Sequence, residues 1–200
     1  MSAGAKPVMW LLAGPNGAGK STFYTYQIQP RFPDLSFINA DLIAQQLWPG
    51  EELQHGYQAS EKAMEQREEC LQRRTSFVTE TVFSHPSKLE LIERARGHGF
   101  VVLLVCVYVP VEVAVRRVNY RVRCGGHAVP EEKIRARHAR ALRHLAEAVK
   151  QADRVLVYDN GHHGRTHVSI AAVQDGVVRW KIEPRPAWAV ELLSLLPQTQ

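Results

Sequence analysis

Cysteine is scarce in this 200-residue sequence: Cys70, Cys106 and Cys124 are odd in number and far apart, with no C-x-x-C pair. That argues against a disulfide framework and a zinc site, and marks the three as reduced thiols, with Cys106 in a buried strand. No apolar run approaches the ~20 residues that would span a bilayer, and Met1 to Pro7 lack the charged stub and apolar core of a signal segment. The expectation is a cytoplasmic protein with no membrane contact. Internal repeats, low-complexity tracts and any segment like an inhibitory helix bundle are also absent, whereas the 45% apolar share can build a sizeable core. One domain over residues 1–200 is expected.

Charge is unevenly spread. Between Arg116 and Arg143 nine basic residues stand against Glu131 and Glu132, a local +7 in a chain of net +5, so the remainder sums to −2. A single basic patch can hold nucleic acid or a polyphosphate substrate, or be a solvated helix face. With its arginines on two helices of a phosphate-binding chain, it favours triphosphate handling over long nucleic acid.

The most informative stretch is Gly14-Pro15-Asn16-Gly17-Ala18-Gly19-Lys20-Ser21, a G-x-x-x-x-G-K-S sequence directly after the apolar run Val8 to Ala13. Thr22 to Ile28 can open a helix behind it, which supplies the strand–loop–helix setting the motif needs. The glycines let successive N–H groups converge on one anion, and the helix N-terminus adds partial positive charge. Residues Gly14 to Thr22 are thus expected to cradle the phosphates of ATP or GTP. Lys20 would bridge the β- and γ-phosphates, and the Ser21 hydroxyl would ligate Mg²⁺.

Along the chain, Ser36 to Asn39 reads as a short strand, and Asp41 stands where it gives way to a helix from Leu42 to Trp48. Asp41 can therefore be a helix cap, a chemical group at the sheet's carboxyl edge, or both. Gln54 to Arg74 reads as a polar helix with weak apolar spacing through Tyr57, Ala63 and Met64. The strand Ser76 to Ser84 carries one acid, Glu80, expected at the exposed carboxyl end, where it could hold hydrated Mg²⁺ or a substrate hydroxyl. A helix follows from Pro86 to Arg96.

Phe100 to Val109 is the most continuous apolar run and reads as the central strand. The next helix has the stripe Val111, Ala114, Val115, Val118, Val122, with Arg121 at its border and Arg117 further out. Cys124 to Pro130 forms a glycine-containing break, and a second helix from Glu131 puts Arg137 at the border of its own stripe. Two helices offering Arg121 and Arg137 to one cleft would make a phosphoryl-transfer lid over about residues 117–137. Ion pairing to Glu131 or Glu147 is the alternative for any one of these arginines.

Asp153 to Gly161 reads as a fifth strand and its turn, set beside the phosphate loop where a nucleobase commonly rests. His162, His163 and His167 have no carboxylate or cysteine at ligand spacing, so a polar loop is favoured over a metal site. Thr166 to Val173 and Val177 to Ile182 around Asp175-Gly176 read as a hairpin, and Pro186 to Leu196 as a closing helix. The expected fold is α/β: a P-loop kinase-like three-layer αβα sandwich with a mostly parallel sheet of five to six strands, a helical lid and a C-terminal β-hairpin. An aliphatic run ending in Asp with a following catalytic acid is missing, and the strand ends show Asp41 and Glu80 instead. That pattern suits a kinase, which needs a carboxylate to accept a hydroxyl proton, better than a hydrolase.

Taken in order, Gly14-Pro-Asn-Gly-Ala-Gly-Lys-Ser-Thr22, Phe37-Ile-Asn-Ala-Asp41, Thr79-Glu-Thr-Val-Phe-Ser84, Arg117, Arg121, Gly125-Gly-His127, Pro130, Arg137 and Tyr158-Asp-Asn160 resemble the zeta toxin family of bacterial toxin–antitoxin systems over residues 8–160. The resemblance implies a kinase that moves the γ-phosphate of ATP or GTP to the 3′-hydroxyl of a UDP-activated amino sugar such as UDP-N-acetylglucosamine. It also implies a separately encoded protein antitoxin. By resemblance Asp41 is the base, Lys20 with Arg121 and Arg137 are phosphate clamps, and Glu80 is a substrate or Mg²⁺ contact. Thr81 and Ser84 join the substrate side, Arg117 and Asn160 the nucleotide side. A kinase with another small-molecule or nucleotide acceptor fits the same residues, and a nucleotide-dependent RNA-binding module is the reading from another class.

Overall fold

The computed structural model describes residues 5–124, 129–161 and 166–197. Residues Gly125–Ala128 of the glycine break, and His162 and His163, lie outside them. A seven-stranded sheet runs in the order β2-β3-β1-β4-β5-β6-β7. Its strands are β1 (Val8–Ala13), β2 (Ser36–Ile38), β3 (Phe77–Thr81), β4 (Val101–Tyr108), β5 (Arg154–Asp159), β6 (Val168–Gln174) and β7 (Val177–Trp180). The first five pair in parallel; β6 and β7 are antiparallel. The expected mostly parallel α/β architecture is the one observed. The C-terminal hairpin, turning at Asp175 and Gly176, both with positive φ, does not stand apart but continues the sheet from β5 and brings it to seven strands.

The helices are α1 (Lys20–Phe23), extended by a π-helical turn over Tyr24–Ile28, α2 (Ala40–Leu47), α3 (Gly56–Gln72), α4 (Ser87–Gly97), α5 (Val111–Arg123), α6 (Glu131–Gln151) and α7 (Ala187–Leu193). The sheet's alternation sorts them into two layers. Met9, Leu11 and Ala13 of β1, with Val102, Leu104 and Cys106 of β4, face a core shared with α2, α3, α4, α7 and the C-terminal half of α6. Leu12 and the β4 residues Val105 and Val107 face the other core, built with Phe23, Tyr24 and Ile28 of the first helix and Ala114, Val115 and Val118 of α5. A parallel strand covered on both sides must be apolar at every position, which explains the unbroken run in β4. Burial also pushes the Cys106 thiol up to about 12, so this cysteine is inert.

Two expectations change. Helix α3 does not pack through Tyr57 and Met64, which are 75% and 55% exposed; its buried face is Ala59, Ala63 and Leu71. Steps of four keep these residues on one side of a helix with about 3.6 residues per turn, whereas Tyr57 and Met64 lie off that line. The second change concerns the start of α2. Its cap is Asn39, whose Oδ1 accepts the N–H groups of Asp41 at 2.8 Å and Leu42 at 3.2 Å. Asp41 lies in the first turn and does not cap the helix.

Candidate active site

The loop between β1 and α1 is shaped by its glycines. A Cβ on Gly14 would stand 2.1 Å from the Val107 carbonyl oxygen, so this position needs a residue without one. Gly19, at φ +88°, is the N-cap residue of α1 with no side-chain cap, and its left-handed backbone would strain any other residue. The first N–H groups of the helix are therefore left to a ligand rather than to a side chain, which fits a bound phosphate.

Lys20 begins α1 and is 95% buried. Its Nζ donates to the Pro15 carbonyl at 3.1 Å and stands 3.6 Å from Glu80 Oε1. Glu80 is held from two further sides: Ser21 Oγ donates to its Oε2 at 2.7 Å and Asn39 Nδ2 at 3.0 Å. Parallel pairing of β3 with β1 puts Glu80 level with Leu12, one residue short of the strand's end, and this register brings residues 20, 21, 39 and 80 together. Asn39 works twice, capping α2 with its oxygen and fixing Glu80 with its nitrogen. Asn39→Ala is expected to cost about 1–3 kcal/mol of stability, measured by urea titration, since it removes both the cap and a hydrogen bond to a carboxylate.

Behind the loop, Asn160 and Arg117 brace the backbone. Asn160 Nδ2 donates to the Ala18 carbonyl at 2.8 Å, and its Oδ1 accepts the His167 N–H at 3.2 Å. Arg117 donates to the carbonyls of Gly17 at 3.3 Å and Asn160 at 2.8 Å. Its guanidinium is pulled below its ordinary range by burial first and by neighbouring Arg116 second, with Asp159 acting against them. His167 Nε2 lies 3.0 Å from the Gly19 carbonyl; a carbonyl can only accept, so this nitrogen carries the proton. Burial lowers the His167 pKa, with the Gly19 hydrogen bond opposing. Nothing local in the sequence marks this bracing role, because His167 reaches the loop only through its place directly before β6.

Two cavities open at the carboxyl edge of the sheet. One, of about 580 Å³, is lined by Asn16, Gly19, Lys20, Ser21, Thr22, Arg117, Arg121 and Asn160. The other, of about 430 Å³, is lined by Ser60, Arg67, Thr81, Ser84, His85 and Lys88. Asp41, Glu80, Val82 and Arg137 line both. The Asp41 carboxylate is exposed and has no hydrogen bond or ion pair among the described residues, so it is open to a ligand in either cavity. Arg135, not Arg121 or Arg137, takes Glu131, and it also pairs in bidentate fashion with Glu112 at 2.6 and 2.8 Å. Those hydrogen bonds raise the Arg135 pKa and lower that of Glu112, and they tie α5 to α6.

Two residues of the second cavity escaped the sequence reading. Arg67 is on the buried face of α3, four residues after Ala63 and four before Leu71, and Lys88 is one turn before the buried Ile92 of α4. The four-residue spacing was visible, but a lone cation in a polar helix reads as solvated until the neighbouring helix is in place. Among the described residues no group of three or more His, Cys, Asp or Glu could hold a metal, and no helix is long and apolar enough to cross a membrane. A hydroxyl and a carboxylate, Ser21 and Glu80, fit Mg²⁺, which keeps most of its ligands as water and phosphate oxygens.

This parallel sheet, its glycine loop and the helix behind it define a P-loop kinase-like α/β fold. The chain belongs to the AAA domain family, whose model matches residues 9–160. An uncharacterized protein of Haemophilus influenzae is 28% identical over 126 residues, which are 62% of this chain and 88% of that one. Among solved structures, AvrRxo1-ORF1:-ORF2 with ATP superposes with a TM-score of 0.72 at 17% identity, covering 91% of this chain. The matched part is 62% of that longer chain. The PezAT toxin–antitoxin system of Streptococcus pneumoniae gives a TM-score of 0.62 at 16% identity, covering 82% of this chain and 71% of that one.

Proposed function

We propose that this protein is a phosphotransferase that moves the γ-phosphate of ATP or GTP to a hydroxyl of a small acceptor, read here as a UDP-activated amino sugar such as UDP-N-acetylglucosamine. One observation carries the reading: the carboxylate of Asp41, unpaired among the described residues, lies on the border between the phosphate-loop cavity and a second cavity. A nucleotide hydrolase needs no second cavity; a kinase needs one for its acceptor, with a base between the two.

In this mechanism the acceptor hydroxyl gives its proton to Asp41 while its oxygen bonds to the γ-phosphorus, and the bond to the β–γ bridging oxygen breaks to leave ADP or GDP. Lys20 and the loop N–H groups hold the phosphates. Arg121 and Arg137 neutralise the charge that develops on the transferring group. Asn39 keeps Glu80 aligned with Ser21. Mg²⁺, held by Ser21 and Glu80 when bound, would supply positive charge to the phosphate oxygens. Thr81 and Ser84 would orient the acceptor. The residue series that resembles the zeta toxin family supports the sugar-nucleotide acceptor, and the likeness in fold to the PezAT toxin–antitoxin system supports a separately encoded antitoxin.

The test is a panel of sugar nucleotides, nucleosides and a short RNA end, each incubated with Mg²⁺ and labelled ATP beside Lys20→Ala. Label on UDP-N-acetylglucosamine with the native protein only is the expected result. Label on another acceptor would keep the mechanism and discard the substrate, and label on none would overturn the kinase reading.

A further inference from the structure

The second cavity contains an electrostatic imbalance that the transfer chemistry does not explain. Arg67 and Lys88 both line it, on two different helices, and neither lines the phosphate-loop cavity. Among the described residues Arg67 has a single hydrogen bond, a long one of 3.5 Å to Thr79 Oγ1, a hydroxyl that itself donates to the Ile38 carbonyl at 3.1 Å. Among the described residues Lys88 has no side-chain partner, and no carboxylate comes within 4.0 Å of either cation. Of the neighbouring acids, Glu68 pairs with Arg94 and Glu80 is held by Lys20, Ser21 and Asn39, whereas Asp41 stands at the border with the phosphate-loop cavity and reaches neither cation.

Two half-buried like charges without a counter-ion are costly in the empty protein. Burial lowers the pKa of both, and Arg67 lowers that of Lys88 further, the direction an unsatisfied pair of cations takes. An anion between them would relieve desolvation and repulsion together, and two positive charges match a phosphate dianion better than a single carboxylate. The cavity is also polarised. Its acids, Asp41 and Glu80, and Arg137 of α6 lie on the side shared with the phosphate-loop cavity, whereas Arg67 and Lys88 lie on α3 and α4, away from it.

We infer that Arg67 and Lys88 form a subsite for a phosphate group of the acceptor, so that the substrate is a phosphorylated hydroxy compound bound with its hydroxyl toward Asp41 and its phosphate toward α3 and α4. The inference rests on the kinase reading for the identity of the ligand as acceptor, but the subsite itself is open to a binding measurement that needs no turnover.

The experiment uses full-length protein saturated with Mg²⁺ and ADP, so that the phosphate loop is occupied, titrated calorimetrically with N-acetylglucosamine 1-phosphate, with N-acetylglucosamine and with glucuronic acid. The phosphate ester is expected to bind at least roughly tenfold more tightly than either of the others, the discrimination a charge-assisted hydrogen bond supplies. Arg67→Gln/Lys88→Gln should abolish that preference, Lys88→Arg should retain it, and Arg140→Gln/Arg143→Gln on the exposed face of α6 should leave it intact. Melting curves of the variants show that each is folded; should the double variant not fold, Lys88→Gln alone must still weaken the phosphate ester severalfold. Equal binding of the three sugars, no binding of the phosphate ester, or equal loss in the α6 variant would overturn the subsite. If the phosphate preference holds while the acceptor panel shows no transfer, the subsite stands and the kinase reading falls.

Discussion

Asp41→Asn is expected to lower kcat by roughly 10²- to 10⁴-fold, the range a positioned general base contributes, with the KM for ATP close to that of the native protein. The substitution removes the negative charge and with it the capacity to accept a proton; the amide keeps the carboxylate's shape in the first turn of α2, where no partner among the described residues constrains it. Since Asn39 rather than Asp41 caps that helix, the variant should melt within about 1 °C of the native protein. Steady-state kinetics with labelled ATP beside a thermal melt decides the matter. A melting temperature lowered by several degrees with kcat unchanged would make Asp41 a structural residue and move the search for the base to Glu80.

Lys20→Ala is expected to reduce transfer by about 10³-fold or more, because in the proposed mechanism this ammonium, in the lysine position of the G-x-x-x-x-G-K-S loop, neutralises charge on the β- and γ-phosphates. Its setting explains why substitution should not be rescued by arginine. The Nζ stands 3.1 Å from the Pro15 carbonyl and 3.6 Å from Glu80, a compact point charge whose place a longer planar guanidinium does not reproduce. Glu80 keeps its hydrogen bonds from Ser21 and Asn39, so the fold should survive the loss. Single-turnover transfer, together with titration of a fluorescent ATP analogue, separates the two effects: transfer falls by the full factor, nucleotide affinity by less. Transfer within tenfold of native would refute the clamp role.

Much of the architecture was legible because it follows from local chemistry. The loop Gly14–Ser21 announces itself through residue types that no other structure needs in that order, and the unbroken β4 run can only be a strand covered on both sides. The turn at Asp175-Gly176 was equally local. Where the reading slipped, two residues competed for one local role. Asn39 and Asp41 are both good helix caps, and the choice fell to Asn39 because it directly follows β2, beside Glu80 on β3. Tyr57 and Met64 looked like the buried side of α3 because they are large, yet alanines let α3 approach its neighbours closely and the bulky residues are left outside.

The sequence by itself determined the phosphate-binding loop, the order of strands and helices, and the polar residues at the strand ends, since each depends on contacts within about a turn or a strand length. Tertiary structure alone decided that Glu80 meets Lys20, Ser21 and Asn39, that His167 and Asn160 brace the loop from about 140 residues away in the chain, and that Arg67 and Lys88 share a cavity with no carboxylate among the described residues paired to either. Electrostatic demand belongs to a place and not to a position in the chain: a cation is solvated or stranded according to what other helices bring near it.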